Sequence, residues 1–173
     1  MQTFMKVGLL SNRIYRANPQ KSMNALLSLL QEHTDCDLMV MPPLCLTGKA
    51  GKLLTNRSVI DASKKALSCF QEETKDLSTA FILGTIDENG TPCHLVYQRG
   101  ILLGKFEDGS TDKQMLRMGN GKVCLYTKGI RRLLFDLGIL EEEGIDVLLV
   151  SDYEKADTES LEKREESLKM ASQ

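Results

Sequence analysis

The sequence predicts an α/β domain in which a mixed β-sheet is covered by helices. Short apolar runs alternate with segments of helical periodicity towards both ends of the chain, and turn dipeptides separate several short strands between them. No linker rich in Pro, Gly or Ser divides the 173 residues, so residues 1–173 are expected to form a single domain. Composition alone leaves open whether the strands form one sheet or two.

The N-terminal part begins with a predicted strand and a predicted helix. The apolar run from Lys6 to Leu10 is typical of a buried strand. Asn18 and Pro19 then predict a helix start, because Asn caps free amides and Pro is tolerated at the first helical position. The apolar stripe of this helix has i, i+3, i+4 and i+7 spacing and consists of Met23, Leu26, Leu27 and Leu30. The helix is expected to end near His33.

A second predicted strand, a loop and a second predicted helix follow. The strand from Asp37 to Met41 ends at two prolines, which cannot donate to a strand ladder. The loop beyond it, through Gly48 and Gly51, is expected to form the rim of a site. The segment from Ser58 to Asp61 resembles a capping box, and the helix that it opens is expected to end near Leu77.

The stretch from Ala80 to Thr127 is predicted to be an antiparallel meander. Its apolar runs are separated by turn segments typical of hairpins, namely Asn89-Gly90, Arg99-Gly100 and Gly119-Asn120-Gly121. A third helix is indicated by the stripe Ile130, Leu133, Leu134, Leu137 and Leu140. A buried strand from Val147 to Val150 comes next. Residues 154–173 carry both charge signs and are predicted to be a solvated helix with a thin apolar face.

Charge and cysteine content exclude several classes of function. A net charge of −2 is too balanced for a protein that binds nucleic acid or an anionic membrane, and neither partner is expected. The five cysteines are odd in number and scattered, which indicates a reducing compartment, and the cytoplasm is the predicted location. No signal peptide is recognisable at the start of the printed sequence, and no apolar run is long enough to span a bilayer.

Metal and cofactor sites are not expected either. No C-x-x-C pair occurs, and His33 and His94 are far apart with no ligand set around them, so structural roles are the preferred interpretation for both. The dinucleotide, phosphate-binding and serine-hydrolase motifs G-x-G-x-x-G, G-x-x-x-x-G-K-[ST] and G-x-S-x-G are all absent.

The run from Cys36 to Gly48 resembles the second-strand signature of the nitrilase superfamily, the carbon-nitrogen hydrolases, usually written G-A-D-L-I-V-F-P-E-L-x-L-T-G-Y. Further segments follow in the family's order: Val7 to Leu10, Asn24, Ile82 to Gly84, Gly100 to Phe106, Val123 to Tyr126, Gly144 to Ser151 and Lys163 to Leu168. The resemblance covers nearly the whole chain and is greatest to the glutaminase domain of glutamine-dependent NAD synthetases. It implies an α-β-β-α sandwich that lacks the family's C-terminal strands.

The resemblance also implies which positions carry the chemistry of the family. Members use a Glu as proton acceptor, a Lys that stabilises the oxyanion and a Cys that attacks the carbon of an amide or nitrile. In this chain those positions fall on Pro43, Asp108 and Lys128. The segment between the last two is much shorter than in the family, so the chain is expected to be a degenerate, non-catalytic relative.

Substitute residues remain an alternative. Lys113 gives a shifted match to the family's K-x-x-L, and Cys45 and Cys124 offer thiols, although small buried hydrophobes are the plainer interpretation of both cysteines. If the three family positions converge in space, Asp108 and Lys128 would form an ion pair. The alternative is that both point into solvent.

Three hypotheses of function follow. The preferred one is a binding or assembly role without catalysis, with a second copy or another protein as partner and an unknown small-molecule ligand. The family associates through the helix after Lys128, so the stripe Leu133, Leu137 and Leu140 is a candidate contact, unless these leucines pack on their own sheet. The second hypothesis is an active amidase or glutaminase that supplies ammonia for NAD synthesis. The third is an unrelated α/β binding module, for which a single doubly wound parallel sheet is expected.

Overall fold

The computed structural model describes residues 5–30, 35–107, 115–118, 121–127 and 130–151. Two compact units are present, Met1–Glu107 and Asp108–Gln173, and each is described by itself. The predicted charged helix at residues 154–173 lies outside the described residues, and so does His33.

The first unit contains one mixed five-stranded sheet with the strand order β1-β2-β3-β4-β5. Its elements are β1 (Val7–Leu9), α1 (Pro19–Leu30), β2 (Leu38–Val40), a 3₁₀ helix (Gly51–Thr55), α2 (Arg57–Thr74), β3 (Ala80–Ile86), β4 (Pro92–Gln98) and β5 (Ile101–Glu107). Strands β1, β2 and β3 are parallel, because a helix returns the chain between them, whereas β3, β4 and β5 form an antiparallel meander. This part of the predicted meander is confirmed.

One face of this sheet packs against α1 and α2. Alternate residues of each strand point to the same face, and Met39, Phe81 and Leu83 therefore join the helix residues Met23 and Phe70 in a single buried cluster. The ring of Phe70 meets that of Phe81 edge-on, with the ring centroids 5.3 Å apart. The apolar stripe that predicted α1 is part of the surface that builds this core, with Met23, Leu26 and Leu30 buried in it.

The starts of the two helices agree only in part with the sequence. Helix α1 begins at Pro19, and Asn18 Oδ1 accepts a hydrogen bond from the amide of Lys21, as predicted. Helix α2 begins at Arg57 and is capped by Asn56, whose Oδ1 accepts from the amide of Ser58. The predicted capping box that starts at Ser58 is therefore wrong.

The ends of α1 and α2 also differ from expectation. Helix α2 ends at Thr74 rather than near Leu77. Helix α1 is described to Leu30, and the residues around its predicted end near His33 are outside the described part.

The second unit contains a separate three-stranded sheet with the order β6-β7-β8. Its elements are β6 (Met115–Met118), β7 (Gly121–Tyr126), α3 (Ile130–Glu142) and β8 (Val147–Val150). Strands β6 and β7 are antiparallel, while β7 and β8 are parallel because α3 connects them. The expectation of one continuous meander up to Thr127 is therefore wrong, since the antiparallel run divides between two sheets.

Helix α3 uses its leucine stripe for the core of this unit. Leu133 and Leu140 are buried with Cys124 and Tyr126, and Leu137 packs partly buried against them. The outward face instead carries Phe135, which is 79% exposed, and Ile139, which is 51% exposed. Leu133 and Leu140 therefore pack on their own sheet, as one of the two interpretations of the stripe expects, whereas Leu137 is only partly buried and the intermolecular contact stays a prediction.

Within the described ranges, no helix combines the length and the apolar character needed to cross a membrane.

Candidate functional site

Two loops meet at the edge of the first sheet where β1 and β2 end. Parallel strands bring their carboxyl ends to the same side, so residues 10–18 and 41–50 are neighbours. The amide of Ala17 donates to Thr47 O at 2.9 Å, and Asn12 Nδ2 donates to Cys45 O at 3.2 Å. The loop after β2, which the sequence predicts to be a site rim, is thereby fixed to the loop after β1.

Pro43 stands in this second loop, directly against β3. A Cβ atom added to Gly84 would lie 2.5 Å from Pro42 O and 2.6 Å from Pro43 Cα, a separation that no real side chain tolerates. The close approach therefore needs glycine at position 84. Pro43, which the sequence resemblance aligns with the family's carboxylate, contributes a ring and no side-chain atom that could accept a proton.

Cys45 is fully buried two residues further along the loop. Both its amide and its thiol donate to Gly84 O, at 2.9 Å and 3.2 Å. Burial raises the pKa of the Cys45 thiol to about 12 and outweighs the opposing effect of the backbone hydrogen-bonding groups of Gly84 and Cys45. Because the thiolate is the nucleophilic form, a neutral and inaccessible thiol is poorly suited to attack a substrate.

Cys124 lies in the middle of β7, where it pairs with Met115 on one side and Leu148 on the other. Its side chain is buried in the core of the second unit. Such a position is typical of a small buried hydrophobe.

The remaining candidate residues are outside the described part of the chain. These are Asp108, Lys113 and Lys128. The predicted ion pair between Asp108 and Lys128 therefore stays a prediction, as does the convergence of either residue with Pro43.

Lys105, on β5, is the lysine that the structure places in a defined network. Its Nζ lies 3.0 Å from Asp87 Oδ2 and 3.4 Å from a carboxylate oxygen of Glu107. The hydrogen bond to Asp87 is the main cause of a raised pKa at Lys105. Burial opposes ionisation of the Asp87 carboxyl, but hydrogen bonds from the Thr91 amide, from Lys105 and from the Asn89 amide together hold its pKa below the usual value. This network joins the turn between β3 and β4 to β5.

His94 is buried on β4, opposite Gly84 on β3 and Phe106 on β5. The sequence favours a surface or half-buried structural role for His94, but the structure buries its side chain inside the sheet. Among the described residues, no group of three or more His, Cys, Asp or Glu side chains is placed to hold a metal ion.

No protein-family model and no curated protein matches the sequence. Solved structures do match it. Glutamine-dependent NAD⁺ synthetase from Acinetobacter baumannii, solved with ADP, superposes with a TM-score of 0.78 at 18% identity over 96% of this chain and 35% of its own. A mutant of the Nesterenkonia AN1 amidase from the nitrilase superfamily superposes with a TM-score of 0.73 at 14% identity over 91% of this chain and 68% of its own.

These similarities show the fold. The chain has the α/β fold, with mixed sheets, of nitrilase-superfamily proteins, as its motifs predict. It spans about a third of the length of the synthetase and about two thirds of that of the amidase. The hypothesis of an unrelated module with a single doubly wound parallel sheet is not supported, because two separate sheets are present.

Proposed function

We propose that this chain is a non-catalytic domain of the nitrilase fold, arranged as an α-β-β-α sandwich, which acts by binding or assembly in the cytoplasm. Pro43 carries the proposal: the sequence resemblance aligns it with the family's proton acceptor, and its backbone packs against Gly84. Acyl transfer from an amide to a thiol needs a base for the thiol proton. Proline cannot supply one.

The cysteines support the same proposal. Cys45 is buried with a raised pKa, and Cys124 is buried within β7. Neither sulfur is exposed to a substrate in solution. Cys36, Cys45 and Cys69 are not in disulfide bonds, which supports a reducing compartment.

The rival proposal is an active amidase or glutaminase. The synthetase with the same fold is glutamine-dependent, and the Nesterenkonia amidase has been solved with butyramide. Activity in this chain would require one of its thiols to act with a base and a lysine from other positions, for which Lys113 is the remaining sequence candidate.

Ammonia release separates the two proposals. We expect the purified protein to release no ammonia above the buffer rate from glutamine or butyramide. Turnover that disappears in Cys45→Ala or Cys124→Ala would overturn the non-catalytic assignment. Circular dichroism of each variant ensures that a loss of activity is not a loss of folding.

Covalent labelling gives an independent test. Another mutant of the Nesterenkonia amidase has been solved with the acetamide moiety of fluoroacetamide added covalently at its active-site cysteine. After incubation of this chain with fluoroacetamide, we expect peptide mapping by mass spectrometry to find no adduct at Cys45 or Cys124. The partly exposed Cys36 and Cys69 serve as internal references for non-specific alkylation. Selective modification of either buried cysteine would contradict the proposal.

A further inference from the structure

We infer that the edge of the first sheet where β1 and β2 end docks an acidic segment of a partner protein. The surface, called the basic edge, consists of Arg13, Arg16, Lys21, Lys49 and Lys52. The inference rests on the binding role proposed above and names the chemistry of the partner.

The charges of the chain are segregated along the sequence. The whole chain has 22 basic and 24 acidic residues, yet residues 5–30 and 38–60 contain no Asp or Glu. The basic residues of these two segments are Lys6, Arg13, Arg16, Lys21, Lys49, Lys52 and Arg57. Most of them stand in or beside the two loops that follow β1 and β2.

The fold brings these loops into contact. The hydrogen bond from Ala17 to Thr47 O joins them, and a Cβ atom added to Gly48 would lie 3.1 Å from Ile14 Cγ2 and 3.8 Å from Arg16 Cα. Arg16 and Lys49 therefore come from neighbouring backbone, although 33 positions separate them in the sequence. The contact between the two loops therefore places their basic side chains on one surface.

Most of the cations at this edge have no carboxylate beside them. Arg13 and Lys21 lie over the ring of Tyr15, at 5.2 Å and 4.4 Å from its centroid. Arg16 and Lys52 are exposed and form no ion pair with any residue that the structure describes. At the start of α2, Arg57 does pair with Asp61. Away from this edge, cations have carboxylate partners, as in the pairs Lys6–Asp35, Lys75–Glu72, Lys105–Asp87 and Arg132–Asp136.

Two helix starts add to the positive potential. Helices α1 and α2 both begin at this edge, and neither has an acidic residue in its first turn. Negative charge is favoured at the positive end of a helix dipole, but here Lys21 and Arg57 occupy the first turns. A carboxylate brought by a partner would therefore be stabilised both by the side chains and by the helix termini.

The surroundings favour a polypeptide over other anions. Ile14, 38% exposed, and Leu53, 45% exposed, offer apolar contacts between the cations. All five side chains of the basic edge are intermediate to exposed rather than buried, which suits an extended partner more than a single small anion. The acidic residues elsewhere on the chain would repel a large anionic surface such as a membrane, whereas a short acidic segment needs to approach the edge alone.

The test uses a fluorescein-labelled peptide in which glutamate alternates with leucine. Its anisotropy is measured with the full chain at low and at physiological salt. The double substitution Arg16→Glu/Lys52→Glu is the critical variant, because neither side chain has an ion pair in the described structure to lose. Lys64→Glu/Lys65→Glu is the matched control, since it makes the same charge change at exposed positions within α2.

We expect the unmodified chain to bind the peptide less tightly as salt rises, and the critical variant to weaken binding by about tenfold or more. At physiological salt the control should change the affinity by less than about twofold, because Lys64 and Lys65 lie roughly 10 Å or more along α2 from its start and the Debye length is about 8 Å. A peptide with glutamine in place of glutamate should not bind.

Three results would overturn the inference. They are equal losses in the critical and control variants, equal binding of the glutamine peptide, and binding to phosphatidylserine vesicles in place of the acidic peptide. Thermal unfolding of each variant shows whether the fold is kept. Ammonia release is assayed on the same samples, so a failure of this inference is distinguishable from a failure of the proposed function.

Discussion

The carbonyl oxygen of Gly84 accepts two hydrogen bonds from Cys45, one from its amide at 2.9 Å and one from its thiol at 3.2 Å. This arrangement fixes the loop after β2, which contains Pro43, onto β3. It requires a glycine on the strand side and a buried, protonated thiol on the loop side. Each requirement leads to a measurable consequence.

Gly84→Ala should lower the free energy of unfolding by about 1–3 kcal/mol, the usual cost of overpacking. The added methyl group meets backbone atoms of Pro42, Pro43 and Leu44, which cannot rotate away. The control is Gly104→Ala in β5, whose new Cβ would meet only a ring atom of Phe106 at 3.8 Å. Urea unfolding measures both variants. Similar stabilities for the two would show that the loop does not press on β3.

Cys45 should be among the slowest thiols to react in the folded protein. With a pKa of about 12, its thiolate is scarce at neutral pH, and its sulfur is buried. We expect iodoacetamide at pH 8 to label Cys69, which is partly exposed, well before Cys45. Peptide mapping after timed quenching gives the order. Denaturant should remove the difference, and comparable native rates would contradict the assignment of Cys45 to the core.

Asn56→Ala should destabilise the protein by about 1 kcal/mol, because Asn56 caps α2. Ser58→Ala should lower the free energy of unfolding by less, because the Ser58 hydroxyl donates a hydrogen bond to Asn56 Oδ1 and does not cap a backbone amide of the helix. Thermal and urea unfolding distinguish the two. A larger loss of stability in Ser58→Ala than in Asn56→Ala would support the capping box at Ser58 that the sequence predicts.

Asp87 should make the protein sensitive to acid. Its folded pKa lies below the unfolded value of about 4, so its contribution is complete above about pH 4 and is lost as the pH falls through the folded pKa. Asp87→Asn should lower the free energy of unfolding by about 1 kcal/mol at neutral pH. Between about pH 5 and pH 2, the free energy of unfolding of this variant should fall less steeply than that of the unmodified chain.

Asp61→Asn is the control for this prediction, since Asp61 forms only an exposed pair with Arg57 on α2. The free energy of unfolding of the Asp61→Asn variant should depend on pH in the same way as that of the unmodified chain. If Asp87→Asn does not change how the free energy of unfolding falls between about pH 5 and pH 2, the network of Asp87 with Lys105 and Thr91 is not the source of the acid sensitivity.

Most elements could be predicted from local sequence. The stripe that includes Met23 and Leu26 places α1, and the turn at Asn89-Gly90 places the hairpin between β3 and β4. The segment Cys36 to Gly48 was sufficient to indicate the fold that solved structures share with this chain. These signals are local because side-chain periodicity is set by the backbone geometry of each element.

Other features could not be read from the sequence. The separation of β6 and β7 into a second sheet with β8 depends on pairing between distant segments, and a strand pattern does not name its partner. The choice of Asn56 over Ser58 as the cap depends on where the 3₁₀ helix before it ends. The absence of acidic residues from 5–30 and 38–60 is visible in the sequence. The contact between the two segments is visible only in the structure.

The sequence by itself therefore determined the class of fold, the order of the elements and the presence of proline rather than a carboxylate at position 43, since each depends on residue type or short-range periodicity. Only the tertiary structure decided that Gly84 admits the proline loop, that the Cys45 thiol is buried, and that Arg16 and Lys49 share one edge. The physical reason is that burial and electrostatic potential depend on which distant segments pack together, and parallel strands joined by helices bring their loops to a common edge.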